Sequence, residues 1–205
     1  MSPRRGQRQS RATELLTDIT TELRSGVGIL SQLLGAPDRE RAALREKLLG
    51  LEGASMDVHF NLMTHIRSVF LTPLPRQDIY MLSQQLNRTM EHVVASGDLI
   101  VARTHLKLAP QSHDQIETLG RQVDLTAAAM ARLEDFDHLE DYWIQMQRLA
   151  KQANRTHRDW VTSTDGAFQP NIALQQSEIA TAILSAAEAQ RAVATTVGSI
   201  IVRES

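Results

Sequence analysis

Apolar residues recur every three or four positions along almost the whole chain, and this spacing places them on one face of an α-helix. Six such stripes follow one another, and no run alternates between apolar and polar side chains with turn residues at both ends, as a strand would. The predicted helices cover roughly residues 10–34, 38–69, 76–108, 112–133, 139–160 and 172–200. The pattern therefore predicts an all-α fold.

Glycine and proline residues separate the stripes. Gly35-Ala36-Pro37 ends the first helix, and Asp38 is the predicted N-cap of the second. Ala109-Pro110 ends the third, and Ser112-His113-Asp114-Gln115 has the form of a capping box for the fourth. Thr164-Asp165-Gly166 begins the last loop. Each boundary thus has a local chemical reason.

The sharpest boundary lies between the second and third stripes, where Pro73 and Pro75 are two residues apart. Proline fixes its own φ angle and biases the preceding residue toward extended backbone, so one helix must end and another begin here. Arg76 and Asp78 are predicted to cap and tether the third helix. The sequence therefore predicts a rigid corner.

The predicted helices are long, about 33–50 Å at ~1.5 Å per residue, and their connections are short. Long helices with short connections pack as antiparallel neighbours. We expect one domain, residues 1–205, in which two three-helix repeats (10–109 and 110–205) follow a flexible basic tail (1–9). The architecture predicted is an elongated bundle of six antiparallel helices.

Composition limits the classes of function. The 205 residues are 42% hydrophobic and 4% aromatic, which favours helix packing over sheet packing. A formal net charge of −2 gives no overall field to attract nucleic acid, so we expect no nucleic-acid partner. There is no cysteine, which excludes disulfides, thiolate metal sites and thiol catalysis.

No apolar segment typical of a signal peptide follows the arginine-rich start, and the most apolar window, 179–202, is interrupted by Glu188, Gln190 and Arg191. We therefore expect a cytoplasmic protein. The basic start predicts either a frayed tail or a weak contact with an anionic membrane surface.

Three stretches resemble one known family. The corner Phe70-Leu71-Thr72-Pro73-Leu74-Pro75-Arg76-Gln77-Asp78-Ile79-Tyr80 is similar to the Thr-Pro-Phe-Asp-Arg-Glu-Asp-Ile-Tyr corner of the PhoU-like proteins that accompany Pit-type phosphate transporters. Asp141-Tyr142-Trp143-Ile144 and the final segment 200–205 resemble the same family, and the likeness extends over roughly the whole chain. It implies a PhoU-like bundle and a cytoplasmic accessory or regulator of inorganic phosphate transport.

The resemblance also implies acidic pairs, four residues apart, that hold metal ions on one surface of the bundle. In this chain the eight matching positions are Glu52, Met56, Asn87, Glu91, Ala150, Asn154, Leu184 and Glu188. Three of them, Glu52, Glu91 and Glu188, carry a carboxylate. We therefore interpret the metal motifs as degenerate and expect no cofactor, the alternative being a residual divalent or ferric ion at these three residues.

The resemblance predicts a non-enzymatic protein that binds a Pit-type permease through a helical face, peripheral to the inner side of the plasma membrane. The corner residues predicted to form the rigid recognition feature are Thr72, Pro73, Arg76, Asp78 and Tyr80. No nucleophile and base stand at a spacing that indicates catalysis. Two alternatives stay open: a metal-binding bundle using the three glutamates with His157, and a structural partner of a metal-competent paralogue. A homo-oligomer is compatible with each.

Overall fold

The computed structural model describes residues 10–103, 105–164 and 169–204. Six α-helices account for most of them: α1 (Arg11–Gly35), α2 (Asp38–Ser68), α3 (Arg76–Val101), α4 (Gln111–Met130), α5 (Phe136–Thr164) and α6 (Pro170–Glu204). Within these ranges there is no strand, so the predicted all-α fold with six helices is confirmed. The basic tail 1–9 and the loop predicted at Asp165-Gly166 lie outside the described residues.

Four helices form the inside of the bundle and two lie outside. α1 packs against α2, α3 and α4, and α6 packs against α3, α4 and α5. α2 lies over α1 and α3, whereas α5 lies over α4 and α6. The first three helices therefore pack together, as do the last three, and the pairs α1–α4 and α3–α6 join the two groups. The division of the chain at residues 109 and 110 stays a prediction.

Contacts between side chains show which helix ends meet. Arg203 near the end of α6 pairs with Asp78 in the first turn of α3, so these two helices run antiparallel. The two ends of the bundle are distinguished by the helix connections that they carry. The corner end carries the α2–α3 connection, residues 69–75, and the loop end carries the α3–α4 connection, residues 102–110.

Each stripe forms one buried face. On α1, for example, Leu16, Ile19 and Leu23 are fully buried, whereas Glu22 and Arg24 lie away from the core. Burial of such aliphatic side chains contributes roughly 1.5–3 kcal/mol each and is the main reason that these helices associate. Among the described residues, no helix combines the length and the apolar character needed to cross a lipid bilayer.

Buried polar side chains fix the register of the inner helices. Gln115 of α4 donates through Nε2 to the Ala180 carbonyl at 2.9 Å. Gln190 of α6 donates to Thr89 Oγ1 at 3.1 Å and accepts from Thr126 Oγ1 at 2.7 Å. Because a buried amide left without a partner costs roughly 1–3 kcal/mol, sliding one helix past another is penalised.

Two helix boundaries differ from the sequence prediction. Asp38 is the first residue of α2 and not its cap, because Pro37 occupies the N-cap position, and no side chain caps this end. Proline suits this place since the missing N–H would have no partner there. α3 ends at Val101, well before Ala109-Pro110, so the loop end has a longer connection than predicted.

The capping box predicted for α4 is also wrong. The helix begins at Gln111 after Pro110, so Ser112 lies inside the first turn. Its Oγ donates to the Ala109 carbonyl at 2.7 Å and does not cap a backbone N–H. The Ser-x-x-Gln pattern is therefore a chance match one step inside the helix.

Candidate functional site

The corner between α2 and α3 is held by its own side chains. Val69 leaves α2 with extended backbone, φ −89° and ψ 147°. Arg76 Nη2 donates back across the corner to the Val69 carbonyl at 2.7 Å, and Thr72 Oγ1 donates to the Leu74 carbonyl at 2.7 Å. Leu74 is buried in the core. With Pro73 fixing φ between these bonds, the corner has little conformational freedom.

Asp78 ties the corner to a second helix. Its carboxylate is buried in the first turn of α3 and accepts a hydrogen bond from Arg203 near the end of α6. The N-cap of α3 is Pro75, with no side-chain cap, so the predicted capping by Arg76 and Asp78 is wrong while their tethering role is present. The position of the corner relative to α6 is thereby fixed.

Exposed apolar side chains gather around this corner. Phe70 is 93% exposed, Leu71 82% and Val202 77%. The large apolar side chains exposed at the corner end, with α3, α5 and α6 contributing, are Phe70, Leu71, Tyr80, Phe136, Trp143, Ile144 and Val202. Of the five predicted corner residues, Tyr80 is the one that adds an aromatic ring to this surface. We call this set the corner surface.

A groove of about 760 Å³ between α5 and α6 belongs to the same end of the bundle. Trp143 forms one wall and is 39% exposed. Its indole lies directly over Gly198, where an added Cβ would be 2.8 Å from Trp143 Nε1. The glycine therefore permits the ring to approach α6 closely, and Val202 continues the groove toward the end.

The α2–α3 flank, where the resemblance implies a metal site, holds a hydrogen-bonded network. Ser55 Oγ donates to Asn87 Oδ1 at 2.7 Å, and Asn87 Nδ2 donates to the Ser83 carbonyl at 3.1 Å. His59 Nδ1 lies 3.1 Å from Ser83 Oγ. Burial lowers the pKa of His59 below its ordinary value, so the ring favours the neutral form. Neutral, mutually satisfied groups therefore occupy the place of a carboxylate pair.

Glu52 lies on the same flank without a close cation. Burial raises the pKa of Glu52 above its ordinary value, and the negative charges of Glu91 and Asp98 raise it further. Asp98 is itself paired with a cation, since Arg45 binds it through Nε at 2.7 Å. Glu52 and Glu91 are thus close enough to repel each other electrostatically.

Glu91 and Glu188 line one groove of about 620 Å³ between α3 and α6. Glu188 accepts a hydrogen bond from Asn154 Nδ2 of α5 and lies 3.5 Å from Arg191 Nη1. Arg88 lines the groove beside Glu91 and, after burial, lowers the pKa of His92. The groove has mixed charge.

The predicted metal residues are therefore only partly brought together. Across the described ranges, no group of three or more histidine, aspartate or glutamate side chains could hold one metal ion. Asn87 and Asn154 are committed to protein partners. The residues present do not fit the multi-carboxylate centre that the resemblance implies.

Comparison with known proteins shows a fold and no sequence family. No family model matches the chain, and no curated protein matches it. Among solved structures, a PhoU-like protein from Shewanella oneidensis MR-1 superposes with a TM-score of 0.79 at 12% identity, covering 94% of this chain and 99% of that one. A second protein of that organism, provisionally called a PhoU-like phosphate regulatory protein, gives 0.78 at 11% identity with the same coverage. The chain has the fold of PhoU-like proteins over nearly its whole length.

Proposed function

We propose that this chain is a non-enzymatic accessory protein of inorganic phosphate transport, which binds a Pit-type permease or a related subunit through the corner surface. The fold supports a phosphate-related regulatory role, since one structural neighbour carries that description. The observation that carries the docking proposal is the gathering of exposed apolar side chains at one rigid end of the bundle.

The exposure of Phe70 and Leu71 has a physical cost. Each keeps an apolar side chain in water, where burial against a partner would contribute roughly 25 cal/mol per Å². Large exposed apolar patches mark interaction sites. Five of the other seven large exposed apolar residues in the described ranges belong to the corner surface, and Phe60 of α2 and Leu174 near the start of α6 lie outside it.

The corner is also built to lose little entropy on binding. The bonds from Arg76 to Val69 and from Arg203 to Asp78 hold it before any partner arrives. A preorganised surface avoids the ordering cost that a mobile loop would incur. In this proposal the protein sits at the cytoplasmic face of the membrane through its transporter.

The direct test is co-purification with a tagged Pit-type permease expressed together with the chain. We expect the wild-type chain to be retained in mild detergent and the double variant Phe70→Ser, Leu71→Ser to be retained about tenfold less, as expected when central apolar anchors are removed. Leu174→Ser is the matched control, because that residue is 59% exposed at the loop end.

Retention of the double variant at the wild-type level would overturn docking through the corner surface. Reduced retention of both the double variant and Leu174→Ser would also overturn docking through the corner surface, because the interface would then lie elsewhere on the bundle. Capture of a PhoU-like paralogue in place of the permease, with the same sensitivity to Phe70 and Leu71, would support the form of the proposal in which the partner is a related subunit.

Metal binding is the second candidate, and the shared groove of Glu91 and Glu188 is the observation that favours it. Elemental analysis of protein purified without chelator would be combined with melts in EDTA and in added iron, zinc or magnesium. Near-stoichiometric metal that is lost in Glu91→Gln and Glu188→Gln variants would support this candidate. Metal-free protein with an unchanged melt would contradict it.

A further inference from the structure

A pocket of about 330 Å³ lies at the loop end, between the end of α3 and the start of α4. Four basic side chains line it: Arg41 of α2, Arg103 and Lys107 of the connection, and His113 of α4. No carboxylate stands in its lining among the residues that the structure describes. The grooves at the corner end and along the α3–α6 flank, in contrast, each include a glutamate.

The two arginines are set into the wall of this pocket. The side chain of Arg41 is 12% exposed and that of Arg103 18%. Arg103 pairs with Glu178 of α6 and donates through Nη1 to the Leu99 carbonyl at 3.3 Å. Arg41 donates through Nε to the Ala36 carbonyl at 3.1 Å, and its Nη1 lies 3.5 Å from Asp38. Both carboxylates are outside the lining. A guanidinium has five N–H donors, so the two contacts of Arg103 orient its plane and leave further N–H groups of that side chain able to donate to a ligand in the pocket.

Apart from Ser112, apolar side chains form the rest of the wall and strengthen the attraction of these charges for an anion. Leu34, Ile100 and Ile179 line the pocket next to the cations. Apolar walls exclude water and lower the local dielectric constant, so an anion inside is attracted more strongly than it would be on an open surface. The start of α4 adds the positive end of a helix dipole.

A fully buried glutamine holds the connection that carries Lys107. Gln176 of α6 donates to the Lys107 carbonyl at 2.7 Å and accepts from the Ala109 N–H at 3.3 Å. Its Oε1 also accepts from Trp160 Nε1 at 2.9 Å. The backbone around the pocket is therefore fixed by the core of the second half of the bundle.

We propose that this pocket binds a phosphate group, presented as free inorganic phosphate or as a small phosphate ester. Arginine suits phosphate because its planar donors match two oxygens at once, and lysine adds a mobile charge at the mouth. That bound phosphate would act as a signal in the regulation of transport rests on the proposed function. The binding itself rests on the pocket alone.

The test uses the purified full-length chain and calorimetry at constant ionic strength. Inorganic phosphate, glycerol 3-phosphate and chloride are titrated separately into the wild type and into Arg103→Gln and Lys107→Gln. Lys107→Gln is included because its side chain is exposed, so folding is preserved. Arg121→Gln on α4 is the matched control, since Arg121 forms an exposed pair with Glu117 outside this pocket.

We expect saturable binding of at least one phosphate compound, none of chloride, and an affinity about tenfold weaker in either pocket variant, as the loss of one charge-assisted hydrogen bond implies. The compound that binds more tightly identifies the source of the phosphate group. Absence of binding above the chloride control, or binding unchanged in both pocket variants, would overturn the proposal.

This result is separable from the docking proposal. The Phe70→Ser, Leu71→Ser variant should bind phosphate like the wild type, because the corner surface lies at the other end. A chain that binds phosphate but no transporter would contradict only the proposed function, and the reverse outcome would contradict only the phosphate site.

Discussion

The corner end and the loop end are made by the same six helices, yet their surfaces differ in chemistry and shape. At the corner end, Phe70, Leu71 and Val202 project apolar side chains into solvent. At the loop end, Arg41 and Arg103 line a pocket whose other walls are mostly apolar. One end therefore offers surface whose burial would stabilise a complex, and the other offers a concave charged site.

The contrast arises from what each connection is tied to. The corner is a short connection held by proline and by backbone-directed bonds from Thr72 and Arg76. Its Leu74 is buried in the core, whereas Phe70 and Leu71 are exposed. The α3–α4 connection is longer and is pinned to the core through Gln176. The two proposals therefore place macromolecular contact at one end of the bundle and a small ligand at the other.

The two tryptophans give the largest predicted difference between the ends. Trp160 is fully buried and bonded to Gln176 at the loop end, whereas Trp143 lies in an open groove at the corner end. We expect Trp160→Ala to reduce the free energy of unfolding by about 3–5 kcal/mol and Trp143→Ala by about 1–2 kcal/mol. Urea denaturation would measure both, and equal losses would contradict the asymmetry.

The tie between α3 and α6 should come next in size. Arg203→Met leaves the buried carboxylate of Asp78 without this ionic partner, which we expect to cost about 1–3 kcal/mol. Arg121→Met removes an exposed pair with Glu117 and should cost below about 0.5 kcal/mol. Thermal melts at pH 7 would show the difference. Equal shifts would mean that the corner end is not held through Asp78.

The flank between the two ends should respond to pH and only weakly to mutation. The raised pKa of Glu52 means that the folded chain binds this proton more tightly than the unfolded chain, so the stability it contributes is lost as pH rises from the ordinary value of 4.5 through the raised pKa of the folded chain. Glu52→Gln should therefore stabilise the protein at pH 7, by about 0.5 kcal/mol or less, and have no effect below pH 4. Denaturation midpoints at the two pH values would test this, and a destabilised variant at pH 7 would indicate that the Glu52 carboxylate binds a cation.

Much of the fold could be predicted from sequence because its signals are local. The apolar period of three to four residues gives six helices, and Pro73 with Pro75 locates the corner. Helix starts were less predictable, since Pro37 and Pro110 lie next to side chains that resemble caps. A polar residue that follows a proline N-cap looks, in the sequence, like an N-cap residue itself, so the predicted start is displaced.

The sites were harder to predict because they depend on distant residues. Whether Phe70 is exposed depends on packing that its neighbours in sequence do not reveal. The basic pocket joins residues from α2, the α3–α4 connection and α4, and no motif spans them. A single signal was available for the groove at the corner end: Gly198 lies in an otherwise alanine- and valine-rich stripe, where a glycine indicates close approach of another side chain.

In the proposed complex the corner end meets the transporter. Hydrogen exchange of the chain, alone and bound to a Pit-type permease in lipid nanodiscs, would measure this contact. We expect added protection in residues 69–80, 136–144 and 198–203, and none in residues 102–113. Protection at the loop end or along the α2–α3 flank, with the corner unchanged, would contradict it.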